Sequence, residues 1–280
     1  MGVIQSVNKK SIYPIYIKLK SNKFAKISIF DGVRAPSLNE AHIISNLEEH
    51  YKVGQNVRVF RKGKNYFLYP PEQMKDKELR FCRILDVKGS HLRVQTGDNE
   101  FKNCHITNIT DIITPYPLSE FKVGEYTIGR LISDQEICLR LSIVQSGIPK
   151  SMQECITRYG EAERQGDLRN RILTIGSSAL KVDMVCFGYI KTFAESGCFV
   201  SLSHNYEVRV DKSELSDVFI KDKEKEFKTN KLVLCRLISS KVKNNQPNVV
   251  LYDASLRESV IKYGYPINDE ILEHGVGMTV

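Results

Sequence analysis

The amino-acid sequence predicts an all-β fold: three small five-stranded barrels in tandem, with a short helical linker before the third. Three observations carry that expectation. Short segments alternate apolar and polar residues with a period of two, as half-buried strands do. The same order of landmarks returns three times along the chain. Each repeat packs about five such segments into roughly 65–70 residues, and so short an antiparallel sheet protects its edges best by closing on itself, most often as an OB-type barrel.

The first strand of each repeat is Gly2-Val-Ile-Gln-Ser-Val7, Cys82-Arg-Ile-Leu-Asp-Val87 and Gly188-Tyr-Ile-Lys-Thr-Phe193. An aspartate follows 29 residues after the start of each: Asp31, Asp111 and Asp217. This placement looks structural, a strand-ending turn or a helix cap. Then comes Tyr51-Lys-Val-Gly54, Phe121-Lys-Val-Gly124 or Phe227-Lys-Thr-Asn230, ending 52, 42 and 42 residues from the starts. Repeat one therefore carries an insertion of about ten residues (52 − 42), assigned to 35–46. A fourth strand follows at Val57–Phe60, Thr127–Ile132 and Val233–Ile238, and a fifth at Tyr66–Tyr69, Ile137–Leu141 and Asn248–Tyr252. Gly89, Gly97-Asp98-Asn99, Ser203-His-Asn205 and Lys243-Asn-Asn-Gln-Pro247 supply turns.

The barrels are assigned to 1–70, 78–142 and 182–257. Residues 143–181 form the linker, where Met152, Cys155, Ile156 and Tyr159 lie at helical spacing. Lys221-Asp-Lys-Glu-Lys-Glu226 mixes signs and reads as a solvated loop or helix face. In the 258–280 tail, Val276-Gly-Met-Thr-Val280 is worded like Val182-Asp-Met-Val-Cys186. The expectation is a slice of a longer array.

Composition narrows the function. The chain is 41% hydrophobic and 26% charged, as a folded protein is, and contains no apolar run of about 18 residues to cross a membrane as a helix. Its first residues lack the regions of a signal peptide. Residues 1–69 hold 12 Lys/Arg and 4 Asp/Glu, a balance of +8; the remaining 29 (41 − 12) and 29 (33 − 4) cancel. A basic excess confined to the first quarter suits a polyanion. Seven cysteines stand singly, with no C-x-x-C pair and no metal-type histidine spacing, so neither a metal nor another cofactor is expected. Phosphate-cradling and nucleophile-elbow motifs are missing too, which favours a binding module over an enzyme.

Repeat three reads Gly188-Tyr-Ile-Lys-Thr-Phe-Ala-Glu-Ser-Gly-Cys-Phe-Val-Ser-Leu202, then Val208-Arg-Val-Asp-Lys-Ser-Glu-Leu-Ser-Asp217, with Ser255-Leu-Arg-Glu-Ser259 after it. This resembles the S1 domain, an RNA-binding OB-fold, and its wording resembles the eukaryotic family of ribosomal RNA processing protein five, also called programmed cell death protein 11. The resemblance covers most of residues 1–257 in three copies. It implies RNA lying across strands two and three, touching two strand-two aromatics, a strand-three histidine and basic residues near the last strands. In repeat one the aromatics are Tyr13 and Tyr16, and Ala25 stands six before the aspartate, where the histidine is expected. Repeat two offers His105 and Arg140 but no strand-two aromatic. Repeat three keeps Phe199, with Ser196 and Asp211 at the other two positions.

Repeat one thus combines Tyr13 and Tyr16 with Lys18, Lys26, Arg58, Arg61, Lys62 and Lys64, rings to stack on bases and cations to neutralise phosphates. A regular strand would put residues three apart on opposite faces, and a bulge at Pro14 would bring them together. The expected role is a non-catalytic RNA-binding module that holds precursor ribosomal RNA in the nucleolus, beside proteins of the pre-ribosome and small-subunit processome. The alternatives are a protein-docking scaffold with little RNA contact, and the accessory S1 region of an exoribonuclease or translation factor.

Overall fold

In the computed structural model, described for residues 1–8, 10–30, 32–38, 44, 46–73, 76–112, 114–151, 153–154, 157, 176–243 and 246–264, the alternation becomes burial. Ile15 and Ile17 point inward and Tyr16 and Lys18 outward; Cys198 and Val200 are buried while Phe199 between them is half-buried. The expected helix at 151–159, Asp31 and the stretch 276–280 lie on or across residues outside those described.

The chain divides into two units, Met1–Ile148 and Pro149–Val280. The first holds two sheets. Sheet one has β1 (Gly2–Val7), β2 (Ile15–Leu19), β3 (Phe24–Ile27), β4 (Asn56–Val57), β5 (Phe60–Lys62) and β6 (Asn65–Phe67), in the order β4-β1-β2-β3-β6-β5. The expected fourth strand is thus two pieces, one pairing with β1 and one with β6, so sheet one curls round until the same stretch of chain meets both of its sides. Sheet two has β7 (Leu79–Lys88), β8 (His91–Gly97), β9 (Glu100–His105), β10 (Tyr126–Leu131) and β11 (Ile137–Cys138), in the order β11-β10-β7-β8-β9. A parallel bridge between Asn103 and Glu136 ties its two outer strands.

The second unit contains a closed barrel of β12 (Val185–Ala194), β13 (Gly197–Ser203), β14 (Tyr206–Asp211), β15 (Leu232–Lys243) and β16 (Gln246–Ser255), in the order β12-β13-β14-β16-β15. Its own core includes Cys186, Ile190, Val200, Val210, Cys235 and Leu237. The core of sheet one extends through Ile4, Ile17 and Ile27 to Leu79, Phe81 and Ile128 of sheet two and to Val144, so the first two sheets share apolar packing. The six described cysteines are buried, and none is in a disulfide with another described residue. Burial pushes the Cys198 thiol up to about 12, and raises the Cys82 and Cys104 thiols as well.

The repeat is written in the backbone. Each first strand carries a register shift at the same place, between Ile4 and Ser6, Ile84 and Asp86, and Ile190 and Thr192. Each then receives the turn formed by Tyr51–Gly54, Phe121–Gly124 or Phe227–Asn230. Gly54 N–H donates to Ile4 O (2.8 Å), Gly124 N–H to Ile84 O (2.8 Å) and Asn230 N–H to Ile190 O (2.7 Å). These three residues have φ of 85°, 92° and 64°, the left-handed region that glycine and asparagine tolerate best. The register shift in sheet one passes over Gln5, and Pro14 precedes β2, so the irregularity lies on the partner strand rather than at Pro14.

Candidate nucleic-acid interface

Directly opposed residues in an antiparallel pair share a face. In sheet one, Tyr16 faces Lys26 and Lys18 faces Phe24 across β2 and β3, while Ile17 and Ala25 fill the interior. The outward face therefore carries two rings and two ammonium groups. Lys26 Nζ lies 5.6 Å from the centre of the Tyr16 ring. Along the adjoining strands, the Arg61 guanidinium lies 5.8 Å from the Tyr66 ring and that of Arg58 5.3 Å from Phe60. Lys62 and Lys64 are exposed at the turn between β5 and β6. Among the described residues, no ion pair engages Lys18, Lys26, Arg58, Arg61, Lys62 or Lys64. Phe24, 62% exposed, belongs to this face but lies on strand three, whereas the S1 pattern places its rings on strand two. The Phe24-Ala-Lys-Ile27 alternation carries its signal in the sequence.

Tyr13 sits before β2, half-buried, and its hydroxyl donates to Asp98 in the β8–β9 turn. It lines a groove of about 620 Å³ between sheets one and two, which Phe24, Lys26, Lys64 and Tyr66 also line. Tyr13 and Tyr16 are thus both partly open, placed by a bend before the strand rather than by strand alternation.

Sheet two departs from the expectation at three places. Its outward face does have a ring, Phe101 on β9, 45% exposed, with the Arg93 guanidinium of β8 5.3 Å from its centre. His105 shares the side of β9 that Phe101 and Asn103 occupy, opposite His91, but it is only 6% exposed because its ring caps the 3₁₀ turn Ile106–Asn108, Nδ1 lying 3.4 Å from Thr107 N and 2.8 Å from Thr107 Oγ1. Asp211 caps the matching turn Lys212–Glu214, accepting from Ser213 N and Oγ, both at 3.1 Å, and the Ser213 N–H holds its carboxyl below the ordinary range. In sheet one the corresponding residue is Ser28, whose hydroxyl accepts from Phe30 N (3.3 Å). Ala25 is wholly buried. The three backbone bonds Ile29 N to Ile12 O, Ile106 N to Ser90 O and Lys212 N to Ser196 O fix that equivalence. The position expected to hold an RNA-contacting histidine is a turn cap, and counting back six from the aspartate fails in repeat one because the cap there stands three before it.

Arg140 is likewise internal. It is 2% exposed and its Nε donates to Asp111 Oδ1 at 2.9 Å. Asp111 also accepts from Ser142 N (2.8 Å) and Ser142 Oγ (2.6 Å), capping the helix Leu141–Ser146. The pattern recurs where Asp217 accepts from Arg257 Nε (3.0 Å), Ser259 N (2.8 Å) and the Ser259 hydroxyl at the helix Glu258–Tyr263. A second arginine recurs as well, buried at Arg130 and half-buried at Arg236. Arg130 donates to Ile143 O, Val144 O, Glu78 and Asp76, and Arg236 to Ile261 O and Asp183, each clamping its strand to the helix that follows the last strand.

Phe199 lies between Thr192 and Arg209. The cations around it are spoken for: Arg209 Nε lies 2.9 Å from Asp253 Oδ1, and Lys191 is paired with Glu207. Among the described residues, no group of three or more His, Cys, Asp or Glu is placed to hold a metal ion.

Barrel-like sheets of five or six short strands with these recurring turns are consistent with S1 domains of the OB kind. Within that class the chain is RRP5-like. It is 33% identical over 170 residues, 57% of its length, to the rRNA biogenesis protein RRP5 of Arabidopsis thaliana. It is also 33% identical over 98 residues, 35% of its length, to the rRNA biogenesis protein rrp5 of Schizosaccharomyces pombe. It spans 8% and 6% of those two proteins. No family model matches the chain. Among solved structures, GSP13 from Bacillus subtilis aligns over 35% of this chain and 74% of its own, at 18% identity and a TM-score of 0.25. A multidomain protein with nucleic acid binding domains from Streptococcus pneumoniae aligns over 97% of this chain and 76% of its own, at 12% identity and a TM-score of 0.26.

Proposed function

We propose that the chain is a non-catalytic RNA-binding module of a ribosome-biogenesis factor, working in the nucleolus. In this reading three S1-type barrels, 1–70, 78–142 and 182–257, hold single-stranded precursor ribosomal RNA, and sheet one makes the main contact. The observation that carries it is the outward face of sheet one, where Tyr16, Phe24 and Tyr66 stand among cations that form no ion pair among the described residues. Rings stack on any base, and cations bind phosphate with release of counterions. The Arg93–Phe101 pair offers a second, weaker patch, and linkage between patches multiplies their affinity.

The test is the salt dependence of binding. Fluorescence anisotropy with a labelled single-stranded oligoribonucleotide should show log K falling linearly with log[salt]. Replacing Lys62 and Lys64 with alanine should reduce the slope by about 0.7 for each phosphate that the side chains no longer neutralise. A flat salt response would favour a protein-docking scaffold instead. One observation favours that second reading for unit two: its sheet face is neutralised by ion pairs, while Val218 and Phe219 stand exposed in the turn after Asp217.

A further inference from the structure

The groove between sheets one and two has two unlike walls. One is the face already described: Phe24 and Tyr66 supply rings, and Lys26 and Lys64 supply charge. The other wall, from sheet two, carries Thr96, Asp98 and Glu100 of the β8–β9 hairpin, beside Arg80 of β7, which donates to the Lys77 and Leu79 carbonyls. A site for phosphate alone would not place two carboxylates beside its lysines, because they repel the ligand. Asp98 is anchored by the Tyr13 hydroxyl, which fixes the carboxylate at the groove edge. Glu100 Oε1 is paired with Lys102 Nζ at 2.9 Å. Thr96 is 2% exposed, and its buried hydroxyl makes no hydrogen bond among the described residues.

Aromatic rings, flanking cations and a carboxylate edge together fit an unstacked nucleobase better than they fit a phosphate. Carboxylates accept from base N–H groups. Guanine suits them best, since its N1–H and amino group point the same way and can engage one carboxylate with two bonds. Uracil suits them worst, since its single edge N–H is flanked by two carbonyl oxygens. We propose that this groove is a base-selective subsite: it takes one base of a single-stranded RNA, prefers guanine and rejects uracil. The subsite rests on the RNA-binding reading above and adds sequence preference to it. Phe24 and Tyr66 stack on the base, Lys26 and Lys64 hold the neighbouring phosphates, and Asp98 and Glu100 read its edge.

The experiment compares the full chain on two labelled ten-nucleotide RNAs at one fixed salt concentration: all uridine, and the same strand with one central guanosine. The expected result is at least about five-fold tighter binding of the guanosine strand, the low end of discrimination by a well-formed base contact. In Glu100→Gln and in Asp98→Asn that ratio should fall below about two. Asp98→Asn also alters the Tyr13 contact, so its thermal unfolding is compared with the parent's; Glu100→Gln leaves that contact intact and decides the matter if the first variant is unstable. Equal binding of the two strands by the parent chain overturns the selective subsite while leaving RNA binding standing. A preference that survives in both variants overturns the role of the carboxylates and with it the subsite. Failure of either strand to bind at all overturns the RNA reading and the subsite together.

Discussion

Asp111 and Asp217 show how one residue can organise the end of a repeat. Each gathers an arginine, a serine hydroxyl and a helix N–H. Burial works to raise the Asp111 pKa, but the Ser142 hydroxyl and N–H and the Arg140 guanidinium outweigh it and the carboxyl is held below its ordinary value. A carboxyl whose pKa is depressed on folding stabilises the fold at pH values above the unfolded value, about 3.9. That contribution is lost as the pH falls through the lower, folded value. Asp111→Asn should therefore cost about 3 kcal/mol at pH 7, where it leaves the buried Arg140 guanidinium without its counter-charge. The gap between variant and parent should narrow below about pH 4. Urea unfolding at pH 7, 5 and 3 measures this; a gap that widens in acid would refute the assignment. The recurring aspartate was legible from its constant 29-residue offset. The buried state of Arg140 and His105 was not, because a family pattern names a residue type at a position without saying which neighbours its side chain will bond: Asp111 for Arg140 and the Thr107 turn for His105.

At the level of elements, most of the repeat could be read. Alternation gave the strands, and the Phe121-Lys-Val-Gly124 wording gave the turn that docks on the first strand. Gly124 tests why that wording matters. Its φ is 92°, and a Cβ built there meets nothing within 4 Å. Any cost of Gly124→Ala is therefore backbone strain and not collision. It should be about 1–2 kcal/mol by chemical unfolding, with Gly124→Asn costing less, as Asn230 holds the equivalent place in repeat three. Equal costs for alanine and asparagine would mean that the turn rests on something other than its dihedral angle. Two things escaped the sequence for one reason: alternation tells which face is buried but not by what. Leu79, Phe81 and Ile128 pack with the core of sheet one, and Arg130 and Arg236 clamp helices to their strands. Phe24 and Phe101 were legible from alternation but stand on strand three, outside the strand-two positions of the S1 pattern.

Over the whole molecule, the decisive quantity is where charge is left uncancelled. The net charge of +8 belongs to residues 1–69, and the fold keeps it available: sheet one turns Lys18, Lys26 and Arg61 outward beside rings, with no ion pair to them among the described residues. The barrel of unit two does the opposite with similar residue types, closing Arg209 onto Asp253 and Lys191 onto Glu207 before any ligand arrives. A polyanion that binds there must first break those pairs, whereas on sheet one it displaces only salt and water. Photo-crosslinking of the full chain to single-stranded RNA, followed by peptide mapping, should therefore place most adducts on Tyr16, Phe24 and Tyr66 and a smaller share on Phe101. Phe199 should react little, although its ring is also half-open, because the cations that would hold the strand beside it are already engaged. Raising the salt should weaken all adducts on unit one together. Adducts confined to residues 185–255 would show that uncancelled charge does not choose the site, and the ranking of the sheets would have to be reversed.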